Sequence, residues 1–127
     1  QIEGRTLHEP VFPTEDGLAR LHVHTAMGRQ PPEPGELRLM TIRSEGQFNT
    51  VVYEEEDFYR GISTRDVVLL HPADLANASL KSEDRVAVHG PAGSMAPVTA
   101  LSFERLLPGN AAMYFPEANP LTSLALI

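Results

Sequence analysis

The chain has 127 residues, a formal net charge of −7 and no cysteine. That length supports one compact domain with its own core. The charge argues against a non-specific nucleic-acid surface, and the missing thiols exclude disulfides and thiolate-held zinc or iron–sulfur clusters within this segment.

No apolar run is long enough to span a bilayer, and no secretory pattern opens the chain. We therefore expect neither a membrane nor a nucleic-acid partner. The absence of cysteine fits a reducing, cytoplasmic setting. Ile2-Glu3-Gly4-Arg5 is the recognition sequence of a tag-removal protease. Residues 1–5 are read as a scar and residues 6–127 as a single domain cut from something larger.

Leu18 to Thr25 alternates Leu18, Arg20, His22, His24 against Ala19, Leu21, Val23, which predicts a first strand. His22 and His24 would share a face, but no third metal ligand is near in sequence, so they are read as surface histidines. Gln30 to Gly35, with Pro31, Pro32 and Pro34, is a stiff surface connection. Leu37 to Ile42 is an apolar run and predicts a buried strand. It empties into Arg43-Ser44-Glu45-Gly46-Gln47-Phe48-Asn49-Thr50. Arg43 offers fixed guanidinium donors, Gln47 and Asn49 offer amides, and Ser44 and Thr50 offer hydroxyls. Gly46 lets backbone come close to a ligand. Strand-end loops are where rigid scaffolds place binding groups, so this loop points to a large, polar, anionic ligand. The plainer alternative is a turn-rich surface loop that caps its own backbone.

A long connection follows, from Val51 to Asp66, of the kind that is usually functional or mobile. Its acidic block, Glu54-Glu55-Glu56-Asp57, is read as solvated rather than as a calcium or magnesium site. Arg60 and Arg65, either side of Gly61, form a second cationic cluster. Val67 to Leu70 predicts a buried strand, and Ala73 to Ala78 a short helix with Pro72 near its first position. His71 is read as a backbone cap and His89 as structural. Arg85 to His89, Val98 to Phe103 and Ala111 to Phe115 predict three more strands, ended by Gly90-Pro91-Ala92-Gly93, Pro108-Gly109 and Pro116-Glu117-Ala118-Asn119-Pro120. Asn119 to Thr122 is a third polar turn. Short strands with regular turn signals make the chain mainly β, a barrel or sandwich with one or two short helices.

The loop from Arg43 to Thr50, then Tyr53, Arg60-Gly61, Arg65, Pro72-Ala73-Asp74, Asp84-Arg85-Val86, Pro108-Gly109 and Phe115-Pro116-Glu117-Ala118-Asn119-Pro120-Leu121 carry a resemblance in their order and spacing. They resemble the C-terminal domain of molybdopterin oxidoreductases, most closely the formate-dehydrogenase-like subgroup, from roughly Thr14 to Thr122. The resemblance implies a double-psi β-barrel of about six strands, like that of aspartate decarboxylase. It implies binding of molybdopterin guanine dinucleotide on molybdenum or tungsten. By position, Arg43, Ser44, Gln47 and Asn49 would contact pterin and phosphate, and Asn119 and Thr122 the pterin. Phe48, Thr50, Arg60 and Arg65 complete the implied cofactor-binding set. Asp74 would meet the guanine edge or merely hold a turn. No catalytic residue and no metal ligand is implied for this domain. Many members carry glycine at the position of Glu83 and another near Ser79, and a basic tail beyond the position of Ile127.

The resemblance further implies that the partners are the remaining domains of a parent oxidoreductase. The cofactor belongs to the full-length parent, and the isolated domain is expected to be empty and inactive. Surface bared by isolation, at Phe48 and Phe115, would favour self-association. Two other readings stay open. Gly93-Ser94 could be a self-cleaving bond that generates a pyruvoyl group at Ser94, as in aspartate decarboxylase. Alternatively, the barrel could be a non-catalytic interaction module.

Overall fold

The computed structural model describes residues 12–25, 28, 32–44, 47 and 55–122. Contacts divide the chain into Gln1–Gln30 and Pro31–Ile127. In the first unit, Gly17 adopts a left-handed conformation (φ 69°) in a turn whose Asp16 Oδ1 accepts from Leu18 N at 3.2 Å. The strand expected over residues 18–25 is not formed. Leu21 and Val23 are 95% and 97% exposed. Alternation marks a strand only where a neighbour supplies a ladder and a core takes one face; among the described residues this segment pairs with none and its residues are exposed. The His22 and His24 rings lie 6.2 Å apart, stacked.

The second unit holds β1 (Arg38–Ile42), β2 (Val67–Leu70), α1 (Pro72–Asn77), β3 (Arg85–His89), β4 (Ser94–Ser102), β5 (Asn110–Tyr114) and a 3-10 turn, Asn119–Leu121. The strands form one sheet in the order β1-β5-β2-β4-β3. The pairs β1/β5 and β2/β4 are parallel, whereas β5/β2 and β4/β3 are antiparallel. Among the described residues the domain is therefore mainly β, with five strands rather than the six read from sequence.

The central strands explain themselves by period two. On β2, Val68 and Leu70 join one core with Leu75 of α1, Val98, Ala100, Met113 and Leu121. Val67 and Leu69 point the other way, into a second core with Ile62, Leu106, Ala112 and Tyr114. A strand covered on both faces reads as an unbroken apolar run, which is why Val-Val-Leu-Leu shows no alternation. Helix α1 lies one residue earlier at each end than the expected Ala73 to Ala78. Pro72 occupies its first turn, and His71 Nδ1 accepts from Ala73 N at 3.1 Å. The turns after α1 keep left-handed backbone without glycine, at Ser79 (φ 57°) and Glu83 (φ 78°). Glu83 is held there by donating its N–H to Ala100 O at 2.7 Å.

Strand β4 begins at Ser94, four residues before the expected Val98. The β3/β4 register shifts between Val86 and Val88, a bulge that lets exposed Pro97 sit within a strand. The tip of this hairpin presses on the 3-10 turn. A side-chain carbon at Gly90 would collide with the Leu121 carbonyl and stand 2.9 Å from Leu121 Cβ. At Gly93 it would stand 2.8 Å from Pro120 O. We predict that Gly90→Ala costs about 1–3 kcal/mol, the range for forced overpacking. A urea midpoint equal to that of wild type would refute the tight contact.

Candidate functional site

Because β1 and β5 run parallel, their carboxyl ends emerge side by side. Phe115 N donates to Ile42 O at 2.9 Å and extends the pairing by one step. The loop after β1 and the turn after β5 therefore start as neighbours. Strand β2 is antiparallel to β5, so the segment entering β2 arrives at this same end. That segment carries Arg65.

Arg65 is only 8% exposed. Its Nε donates to Glu117 Oε1 at 2.6 Å and its Nη2 to Glu117 Oε2 at 3.0 Å. Its Nη1 donates to Ser44 Oγ at 2.8 Å, and its Nη2 to Gln47 Oε1 at 3.1 Å and to Phe115 O at 2.7 Å. The guanidinium also lies 4.8 Å from the Tyr114 ring centroid. Gln47 Nε2 donates to Phe115 O at 2.8 Å. Ser44 and Gln47 are both buried by this arrangement. Arg43 is exposed, with its guanidinium 5.3 Å from the Phe115 ring centroid. Phe115 is thus half-buried beneath Arg43, not bared as expected. The large exposed apolar residues include Phe58, Tyr59 and Leu107 instead.

Beside this cluster, Asp57 and Ile62 close a tight turn by mutual backbone hydrogen bonds of 2.7 and 3.1 Å, with Gly61 left-handed (φ 67°). Asp57 is 1% exposed, forms an ion pair with Arg60 and accepts from Tyr114 Oη at 2.8 Å. This corrects the reading of the acidic run as wholly solvated. Glu55 and Glu56 are exposed, but Asp57 is buried because its partners come from elsewhere in the chain. Arg60 Nη1 reaches on to Arg43 O at 3.1 Å.

Burial pushes the Asp57 carboxyl up, but hydrogen bonds from Arg60 and Tyr114 and the Arg60 charge outweigh it and hold the group below its ordinary value. Burial likewise opposes ionisation of Glu117, and the Arg65 hydrogen bond and charge overcome it, again lowering the group. Burial, then the neighbouring Asp57 carboxylate, drive the Tyr114 phenol upward. Arg60 and Arg65 are thus each matched by a carboxylate inside the protein.

The structure places the other candidates as follows. Asn119 N donates to Pro116 O at 2.9 Å, and Asn119 O accepts from Thr122 N and from Thr122 Oγ1, each at 3.1 Å. Both residues follow directly on the turn that carries Glu117. Asp74 stands apart: its Oδ2 accepts from Gly109 N at 2.9 Å, at the amino end of β5. A five-residue strand separates it from the cluster, roughly 16 Å at strand rise. Phe48, Asn49 and Thr50 lie outside the described residues. Sequence reading missed Glu117 and Tyr114 as organisers of this end, and Gly90 and Gly93 as contact glycines. Glu117 stood inside the Phe-Pro-Glu-Ala-Asn-Pro-Leu block, which was the available signal.

Among the described residues no group of three or more His, Cys, Asp or Glu could hold a metal. Every buried side-chain polar atom among them has a partner. Arg43 and Asn119 are exposed at this end of the sheet, residue types suited to phosphate and to an amide-rich ring.

The chain belongs to the Molydopterin dinucleotide binding domain family, matched over residues 37–125. Uncharacterized oxidoreductases of Mycobacterium tuberculosis and Mycobacterium bovis are 37% identical to it over 122 residues. The alignment takes in 89% of this chain and 16% of each relative, so the chain spans about a sixth of their length. No solved structure matches it. With the family shown, cofactor binding replaces the self-cleaving and adaptor readings. Ser94 simply opens β4, its Oγ 2.7 Å from His89 Nδ1.

Proposed function

We propose that this domain binds molybdopterin guanine dinucleotide as the C-terminal part of a molybdenum or tungsten oxidoreductase of the formate-dehydrogenase kind. The observation that carries the reading is the meeting of three sequence-distant segments, around Ser44, Arg65 and Glu117, at one end of the sheet. On this reading the two parallel strand pairs belong to a double-psi β-barrel of about six strands. The remaining domains of the parent are its partners, in the cytoplasm.

The cofactor would supply two-electron chemistry at its metal, and the domain would bind and orient it. Arg43 suits a phosphate because a planar guanidinium forks onto two anionic oxygens. Asn49 and Asn119 supply the paired donors and acceptors that a pterin edge requires, and Thr50 and Thr122 add hydroxyls. Ser44 and Gln47, buried and bonded to Arg65, shape the loop from behind.

The test is made in the full-length parent by measuring bound cofactor after Arg43→Ala and, separately, Asn49→Ala. A hydrogen bond to a charged group is worth about 1.5–3 kcal/mol, so affinity should fall at least about tenfold in the arginine variant. Wild-type cofactor content in both variants would overturn the site.

A further inference from the structure

Arg65 belongs to the cofactor-binding set that the resemblance implies, and its guanidinium is already bonded within the protein. A guanidinium has five N–H donors in a fixed plane. Here its three nitrogens meet five acceptor atoms of the protein itself: Nε and Nη1 meet Glu117 Oε1 and Ser44 Oγ, and the two Nη2 hydrogens are shared among Glu117 Oε2, Gln47 Oε1 and Phe115 O. One face of the fork is covered by Tyr114. A phosphate reaching Arg65 would have to break buried, charge-assisted bonds that are already made.

We propose that Arg65 and Glu117 are a pin that fixes the two halves of the cofactor site in register, acting as positioning residues and not as cofactor contacts. This rests on the binding function proposed above. Ser44 and Gln47 hang from β1, while Phe115 and Glu117 hang from β5. Backbone pairing between them reaches Phe115 N, and Gln47 and Arg65 add side-chain links onto Phe115 O. Arg65 enters from a third strand and binds both. Loops fixed before the ligand arrives lose less entropy on binding, so the pin raises affinity without touching the ligand.

An opposite mechanism would use the same residues. Glu117 would be a stand-in anion that a phosphate displaces, and removing its charge would tighten binding. The two mechanisms separate on Glu117→Gln, which keeps the shape and loses the charge, with Arg65→Lys as a second variant that keeps the charge and loses the fork. Backbone amide exchange is read first, in the 127-residue chain, where no cofactor is needed. The pin predicts about tenfold faster exchange at Gln47, Ala118 and Asn119 in both variants, with the Ala100 and Phe103 amides unchanged. Bound cofactor in the full-length parent should fall in both as well. Unchanged exchange at the three loop amides overturns the pin. So does faster exchange spread evenly through the sheet, which would mean a general stability role. Cofactor content in Glu117→Gln above that of wild type overturns it in favour of the stand-in anion. If Arg43→Ala and Asn49→Ala leave cofactor untouched while the loop amides loosen as stated, the proposed site fails and the pin between the segments stands.

Discussion

Asp57→Ala is expected to destabilise the domain by about 3 kcal/mol, more than any other single polar substitution described above. Asp57 is 1% exposed, and its carboxylate is the partner of both the Tyr114 hydroxyl and Arg60. Tyr114 is equally buried, at 1%, so truncating Asp57 strands a phenol inside the second core. Arg60 keeps part of its guanidinium in water and recovers some hydration, so the loss falls chiefly on the tyrosine. The double variant Asp57→Ala/Tyr114→Phe removes the stranded hydroxyl and should be less destabilised than the two single changes added together. A coupling of about 1.5–3 kcal/mol is expected from chemical denaturation of the four proteins. Strict additivity would show that the carboxylate and phenol do not act as a pair.

The second large effect is acid lability. Asp57 and Glu117 are both held below their ordinary values, 3.8 and 4.5. A depressed carboxyl contributes stability that is fully present above its unfolded value and lost as pH falls through its folded value. Below about pH 4.5 the unfolded chain binds protons that the folded chain refuses, and each group adds up to about 1.4 kcal/mol per pH unit to the slope. Denaturant midpoints measured from pH 6 down to pH 3 should therefore fall steeply, and Glu117→Gln should remove its share of that slope. Tyr114 works at the other extreme. Its phenol is raised above 10.0, so stability is lost as pH climbs past that value, when the unfolded tyrosine ionises first. A profile flat from pH 6 to pH 3 would mean that neither carboxylate is held as the structure shows.

Local physics made most of the sheet legible from sequence. Val67–Leu70 and Arg85–His89 match the expected bounds because their composition and punctuation agree. Helix α1 was readable from His71 and Pro72 because capping is decided within a turn. The failures share one cause, dependence on a distant partner. The segment at residues 18–25 alternates well but pairs with none of the described residues. Strand β4 hid its first four residues behind Pro97, which a bulge against β3 accommodates. The loop after β1 was visible as a dense run of polar groups, but nothing in Arg65 announces Glu117 as its partner. Asp57, last in an acidic run, looked solvated because its burial is decided by Tyr114 and Arg60.

The parallel pairing of β1 with β5 sets the order in which this domain can be finished. Arg38 opposes Asn110 and Ile42 opposes Tyr114, so the strand that pairs with β1 is also the last of the five to be made. A chain leaving the ribosome carries β1 and its polar loop through the synthesis of α1, β3 and β4 before their neighbour exists. Pairings between such distant segments are slow because loop closure must precede them. Both cores and the end of the sheet that carries Arg65 and Glu117 are therefore completed only when this last strand is in place.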